Sequence, residues 1–146
     1  MLGIIGAMDE EVAMIKAQLT DVQVESRAAM DFYKGKLEGK EVVVVRSGIG
    51  KVNAAMCTQI LADIYSVTGV VNTGIAGSLK AEIDIGDIVL SSDALQHDMD
   101  ATGFGYPKGQ IPQMKEFSFQ ADECLRKIAH DVCEEVNPEI RVFEGR

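Results

Sequence analysis

Leu2-Gly3-Ile4-Ile5-Gly6-Ala7-Met8-Asp9-Glu10-Glu11 is an apolar run that breaks abruptly into three carboxylates. Its first part, residues 2–7, is apolar by continuity rather than by alternation, the pattern of a strand covered on both faces of a sheet. Asp9 is expected as the N-cap of a helix. Glu10 and Glu11 would then lie in the first turn, where the helix dipole favours negative charge by about 0.3–1 kcal/mol per group. Val12, Ile15 and Leu19 continue with helical spacing. In an open α/β sheet the ligand crevice lies beyond the carboxyl ends of the strands. A carboxylate there can hold a water, a sugar hydroxyl or a metal, and it repels a phosphate.

The same alternation of strand and helix extends outward from this start. Residues 32–37 and 41–46 read as two strands joined by a tight Glu38-Gly39-Lys40 turn, and Val42 to Val45 are apolar enough for a central position. A helix is expected over residues 51–65, with Val52, Ala55, Met56, Ile60 and Ile64 on one face. Residues 69–73 read as a short buried strand and residues 88–91 as another. The segment 98–118 contains five glycines and prolines together with Phe104 and Tyr106 and reads as a long loop, a class that is usually functional or mobile. A helix over 120–136 and a strand over 140–143 complete the pattern, and the chain stops as that last strand ends. This predicts an α/β fold with a mixed sheet, formed by a single domain over 1–146 that is incomplete at its C-terminus.

Composition narrows the function classes. With 146 residues, 47 % of them hydrophobic, the chain can bury a real core. No apolar run approaches the ~20 residues of a membrane helix, and the N-terminus has no basic flank of a signal peptide, so a cytoplasmic location without membrane association is expected. A net charge of −9 without a basic stripe argues against nucleic acid as a partner. Cys57, Cys124 and Cys133 are odd in number and widely spaced, which gives neither a disulfide framework nor a CxxC metal site.

Three strand ends are rich in glycine: Gly6-Ala7-Met8, Gly48-Ile49-Gly50 and Gly74-Ile75-Ala76-Gly77. One alone is a tight turn; three suggest backbone lining a crevice. Neither phosphate-loop reading survives. Val45 stands where a P-loop needs its first glycine, Val52 where it needs Ser or Thr, and Asn53 where a dinucleotide fingerprint needs its third glycine. Glu11 has two readings, a helix-start carboxylate or an acid–base group, and the second requires a partner. Asp98 and Asp100 beside His97 are candidates by residue type only, and the same three residues are weak evidence for a metal. Neither a metal nor a cofactor is expected.

Taken together, GIIGAMDEEV at 3–12, SGIGKVNAA at 47–55, NTGIAGSL at 72–79 and GDIVLSSDALQHDMDATGFGYPKGQIP at 86–112 resemble the 5′-methylthioadenosine/S-adenosylhomocysteine nucleosidases. The resemblance runs in order through essentially the whole chain. It implies the nucleoside phosphorylase/hydrolase fold, a three-layer α/β/α sandwich around a mixed sheet. It also implies hydrolysis of the N9–C1′ bond of an adenine nucleoside, releasing adenine and a 5-thio-ribose in methionine salvage. Glu11 matches the glutamate that activates the attacking water. Ala7 and Met8 match residues beside the ribose, and Ile49 an apolar contact in the ribose and thioalkyl region. Ala76 and Gly77 match the turn beside the base. Phe104 and Pro112 match loop residues that close the thioalkyl site of a neighbouring subunit, so a homodimer is implied.

Two departures from the family pattern bear on the site. Ile75 stands where many members carry a serine that orients the catalytic acid, and Ser78 stands where glycine is common. The resemblance also places a Met-Glu pair that grips the ribose hydroxyls, and the aspartate that protonates adenine, beyond Arg146. A purine nucleoside phosphorylase, another nucleoside hydrolase of the same fold and an inactive fragment remain the alternatives.

Overall fold

The computed structural model describes all residues, Met1–Arg146, and divides them into two compact units, Met1–Gly77 and Ser78–Arg146. The first contains β1 (Leu2–Gly6), α1 (Asp9–Ala17), β2 (Thr20–Arg27), β3 (Met30–Leu37), β4 (Lys40–Arg46), α2 (Lys51–Asp63) and β5 (Gly69–Asn72). Its sheet has the order β2-β3-β4-β1-β5. β4, β1 and β5 run parallel, with Ile4 between Val44 and Val71, while β3 is antiparallel to β4 and to β2. The expected mixed sheet is therefore present.

Alternation along β4 assigns its two faces. Val42 and Val44 pack with Val12 of α1 on one side, and Val43 and Val45 pack with Cys57 and Leu61 of α2 on the other. One helix on each face of the sheet makes three layers, which is why Val42–Val45 is apolar at every position instead of every second one. Phe32 stacks on Tyr65 at 5.3 Å between ring centroids on the α2 side.

Several details differ from the sequence reading. The N-cap of α1 is Met8, not Asp9, because Met8 is the last extended residue (φ −122°, ψ 160°). The buried stripe of α2 is Cys57 and Leu61; Val52, Met56 and Ile64 are exposed. Gly3 explains the choice: a Cβ on Gly3 would lie 2.9 Å from Leu61 Cδ1, so the bare backbone of β1 lets Leu61 face the sheet. β5 is half-exposed because it is the edge strand of its sheet. β2 was not expected. It joins β3 through Ala28 and Ala29, both at positive φ (50° and 62°), a two-residue turn of the type that matches strand twist but usually carries Asn or Gly.

The second unit contains β6 (Ile88–Ser91), β7 (Asp93–Ala94), β8 (Phe119–Gln120), α3 (Glu123–Val136) and β9 (Val142–Gly145). β6 pairs parallel with β9, and β7 pairs antiparallel with β8. α3 starts three residues later than the reading of 120–136, since the Asp122 side chain accepts the Leu125 N–H at 2.8 Å and caps it there. β9 lies two residues beyond the expected strand at 140–143. The segment 98–118 is a loop with a single 3₁₀ turn at Thr102–Phe104, and the β7–β8 pair closes its base. No helix of the protein is long and apolar enough to cross a membrane.

Candidate active site

The carboxyl ends of three parallel strands converge in the first unit. Beyond the last regular pairs, the Ser47 N–H donates to the Gly6 carbonyl at 2.9 Å and the Thr73 N–H to the Ile5 carbonyl at 2.9 Å. The backbone after β4, β1 and β5 is thereby held in one row, and only Ala7 and Met8 separate the end of β1 from the start of α1.

Glu11, in the first turn of α1, turns back toward that row. Its Oε2 accepts the Ala7 N–H at 2.6 Å and the Met8 N–H at 3.0 Å, and its Oε1 accepts the Ile75 N–H at 3.2 Å. The first two satisfy donors that a helix start leaves without partners. The third links α1 to the segment after β5, across 64 residues of sequence. Hydrogen bonding favours the ionised form of a carboxyl group. The Met8 N–H is the largest influence, partial burial opposes it, and the Ile75 and Ala7 N–H groups add to it, so the Glu11 carboxyl is held below its ordinary range. At neutral pH it is an anion whose position is set by backbone.

Two glycines give this carboxylate its room. A Cβ on Gly6 would lie 2.7 Å from Val12 Cγ1 and 2.9 Å from Glu11 Cβ, and a Cβ on Gly74 would lie 2.5 Å from Glu11 Oε1. The sequence marked both segments as glycine-rich strand ends, but gave no sign that both glycines yield space to one residue.

The neighbouring charges are unequal. Glu10 is exposed, whereas Asp9 lies 3.4 Å from Arg46 Nε at the end of β4. Both side chains are at least half-exposed, so the pair is worth little in stability, but it offsets one of the three negative charges in the first turn of α1. Arg46 also lines a cavity of about 200 Å³ with Met30, Ser47, Gly48 and Asn53.

The sequence-expected site residues fall in both units. Ala7 and Met8 are joined to Glu11 through their N–H groups. Ile49 lies between β4 and α2 with its side chain exposed, and its carbonyl accepts Asn53 Nδ2 at 2.8 Å. Ala76 and Gly77 follow Ile75 in exposed, irregular backbone. Phe104 and Pro112 belong to the loop of the second unit; Phe104 is exposed and Pro112 half-buried. Asp100 accepts both the backbone N–H and the hydroxyl of Thr102, which occupies it as a turn cap. The role of Ile75 was not legible in its side chain. Its backbone N–H is what reaches Glu11, and any residue except proline supplies one.

Comparison with known proteins gives one consistent answer. The sequence model described as "Phosphorylase superfamily" matches residues 1–146. A 5′-methylthioadenosine/S-adenosylhomocysteine nucleosidase of Staphylococcus haemolyticus is 48 % identical over 137 residues, which are 94 % of this chain and 60 % of that protein. One from a Marinomonas species is 50 % identical over 125 residues, 86 % of this chain and 54 % of that protein. Among solved structures, the nucleosidase of Colwellia psychrerythraea in complex with adenine superposes with a TM-score of 0.93 at 44 % identity, covering 98 % of this chain and 59 % of that one. The nucleosidase of Neisseria meningitidis in complex with methylthio-immucillin-A also gives 0.93, at 35 % identity, covering 99 % and 62 %. The chain thus spans about 60 % of the length of the relatives it matches.

Proposed function

The chain belongs to the phosphorylase superfamily, and from that premise we propose that the protein hydrolyses the N-glycosidic bond of 5′-methylthioadenosine and S-adenosylhomocysteine, and of 5′-deoxyadenosine, in methionine salvage. Water attacks C1′, and the C1′–N9 bond breaks with its electron pair remaining on adenine. The proton of the water passes to Glu11, and the 5-substituted ribose is released. The observation that carries this reading is the Glu11 carboxylate, fixed at the carboxyl edge of the sheet by three backbone N–H groups. A base must be ionised to accept a proton, and those donors favour ionisation. The transition state is oxocarbenium-like, so a nearby anion also stabilises the charge that develops at C1′.

In this reading Ala7 and Met8 border the ribose, Ile49 its apolar side, and Ala76 and Gly77 the base. Phe104 and Pro112 close over the thioalkyl group of a neighbouring subunit in a cytoplasmic homodimer. Protonation of adenine and the grip on the ribose hydroxyls fall to groups outside residues 1–146. No metal or cofactor takes part.

The test is adenine release from methylthioadenosine by the full-length protein and its Glu11→Gln variant. Loss of a general base costs about 10²–10⁴ in rate, and near wild-type turnover by the variant would sink the assignment. One observation keeps phosphorolysis in view: Arg46 supplies a cation beside Asp9 at the same edge. Turnover that requires inorganic phosphate, with 5-methylthioribose 1-phosphate as product, would favour that reading over hydrolysis.

A further inference from the structure

We infer that Gly74 is a positioning residue for Glu11: the missing side chain lets the carboxylate lie against the Ile75 N–H, and this leaves Oε1 as the oxygen that takes the proton from water. The inference rests on the reading of Glu11 as the base.

A glycine is usually explained by its backbone angles, and here that explanation fails. Gly39, Gly48, Gly50, Gly86, Gly105 and Gly109 have positive φ, whereas Gly74 does not. An alanine could adopt its conformation. What an alanine could not do is share space with Glu11. Its Cβ would lie 2.5 Å from Oε1, 2.9 Å from the carboxyl carbon and 3.3 Å from Oε2. All three close contacts are to one functional group, so the vacancy at residue 74 has the form of the carboxylate.

The carboxylate cannot yield without losing bonds. Moving away from residue 74 lengthens the 3.2 Å bond to the Ile75 N–H, and rotating about the side chain breaks the pair at Ala7 and Met8. The same geometry separates the two oxygens chemically. Each carboxylate oxygen has two acceptor sites. Oε2 fills both with the Ala7 and Met8 N–H groups, while Oε1 uses one on Ile75 and keeps one. A water can donate to Oε1 alone. Gly74 therefore sets both the place of the base and which oxygen is available.

The experiment compares full-length wild type, Gly74→Ala, Glu11→Ala and the double variant. With methylthioadenosine as substrate, Gly74→Ala is expected to lower kcat about a hundredfold, the effect of displacing a catalytic group by about 1 Å, with KM little changed. Its acid limb should also move. The base works ionised, the Ile75 N–H favours ionisation, and losing that donor raises the pH at which activity is lost on acidification. The second readout is independent of activity: Gly74→Ala should lower the thermal midpoint in the wild-type background and leave it unchanged in the Glu11→Ala background, where the clashing group is gone.

Wild-type kcat and acid limb in Gly74→Ala would overturn the inference, as would equal losses of thermal midpoint in both backgrounds. If Gly74→Ala does not fold, the double variant decides: folding supports the inference and failure to fold overturns it. A wild type that shows the thermal coupling but releases no adenine would overturn the nucleosidase reading and leave the steric role of Gly74 standing.

Discussion

The two units are held together by different physics. In Met1–Gly77 the largest fully buried side chains are Phe32, Leu61, Val12, Val43, Val44, Val45 and Cys57, all on or against one sheet. In Ser78–Arg146 the only buried hydrophobic residue is Ala101, and it is accompanied by buried Asp93 and Gln110. α3 buries no residue, although Ile128, Val132 and Val136 give it an apolar stripe. Side-chain polar bonds make up the difference. Arg141 donates to Asp84 at 2.7 Å and to Asp87 at 2.6 Å, Arg146 pairs with Asp93, and Gln110 Nε2 serves three carbonyls. A unit organised by burial can hold one carboxylate to a fixed position at its edge. The unit organised by polar contacts carries the loop with Phe104 and Pro112, which is proposed to close over a thioalkyl group.

The largest effect that separates the units is core truncation. Leu61→Ala in α2 is expected to cost about 2–5 kcal/mol, as large-to-small changes at fully buried sites do. Ile128→Ala in α3 removes a side chain that is 53 % exposed and should stay within about 0.5 kcal/mol, as surface substitutions do. Urea unfolding midpoints of the two variants measure the contrast, and equal losses would break it.

A smaller effect is expected at the buried polar residue of the second unit. Gln110 Nε2 donates to the carbonyls of Ile111 at 3.1 Å, Met114 at 2.9 Å and Glu116 at 3.2 Å, gathering the far half of the loop around one side chain. Gln110→Leu keeps the approximate volume and leaves those acceptors without their donor, at about 1–3 kcal/mol. Amide hydrogen exchange should accelerate within residues 98–118 and stay unchanged in β1 and β4. Acceleration spread evenly through both units would show that the loop is not organised locally.

The same contrast accounts for what the sequence disclosed. The break at Met8-Asp9 and the unbroken Val42–Val45 run announced a parallel strand and a central one, because double-sided burial leaves a one-dimensional trace. β2 left none. It is exposed along its whole length as the edge strand opposite β5, and its turn uses Ala28 and Ala29 in place of the usual Asn-Gly signal. On α2 the apolar spacing pointed to Val52, Met56 and Ile64, whereas the sheet-facing choice was made by Gly3 under Leu61, a partner 58 positions away. Glu11 itself was legible as a carboxylate after a strand. Its partners were not, since Ala7, Met8 and Ile75 act through N–H groups that nearly every residue possesses.

The smallest effect is electrostatic and has a definite sign. Arg146, with help from Ser118 and Ser92, holds the Asp93 carboxyl far below the usual carboxylate range; the Asp84 N–H and Arg141 lower that of Asp87. A carboxyl group whose folded-state value is depressed contributes stability that is fully present above its unfolded value, about pH 3.9, and is lost as the pH falls through the folded value. Acidification below that point should therefore loosen β6, β7 and β9, read as a loss of amide protection relative to the intrinsic exchange rate, while β3 and β4 retain their protection. Arg141 and Arg146 are about half-exposed, so raising the salt concentration at neutral pH should produce a weaker version of the same pattern by screening. Arg141→Gln should remove the salt response from β6 and β9 and leave that of β7, where Asp93 has a different partner. If salt and acid act equally on β4, whose Val42–Val45 side chains are buried in hydrophobic clusters on both faces of the sheet, the division between a unit held by burial and a unit held by charge does not stand.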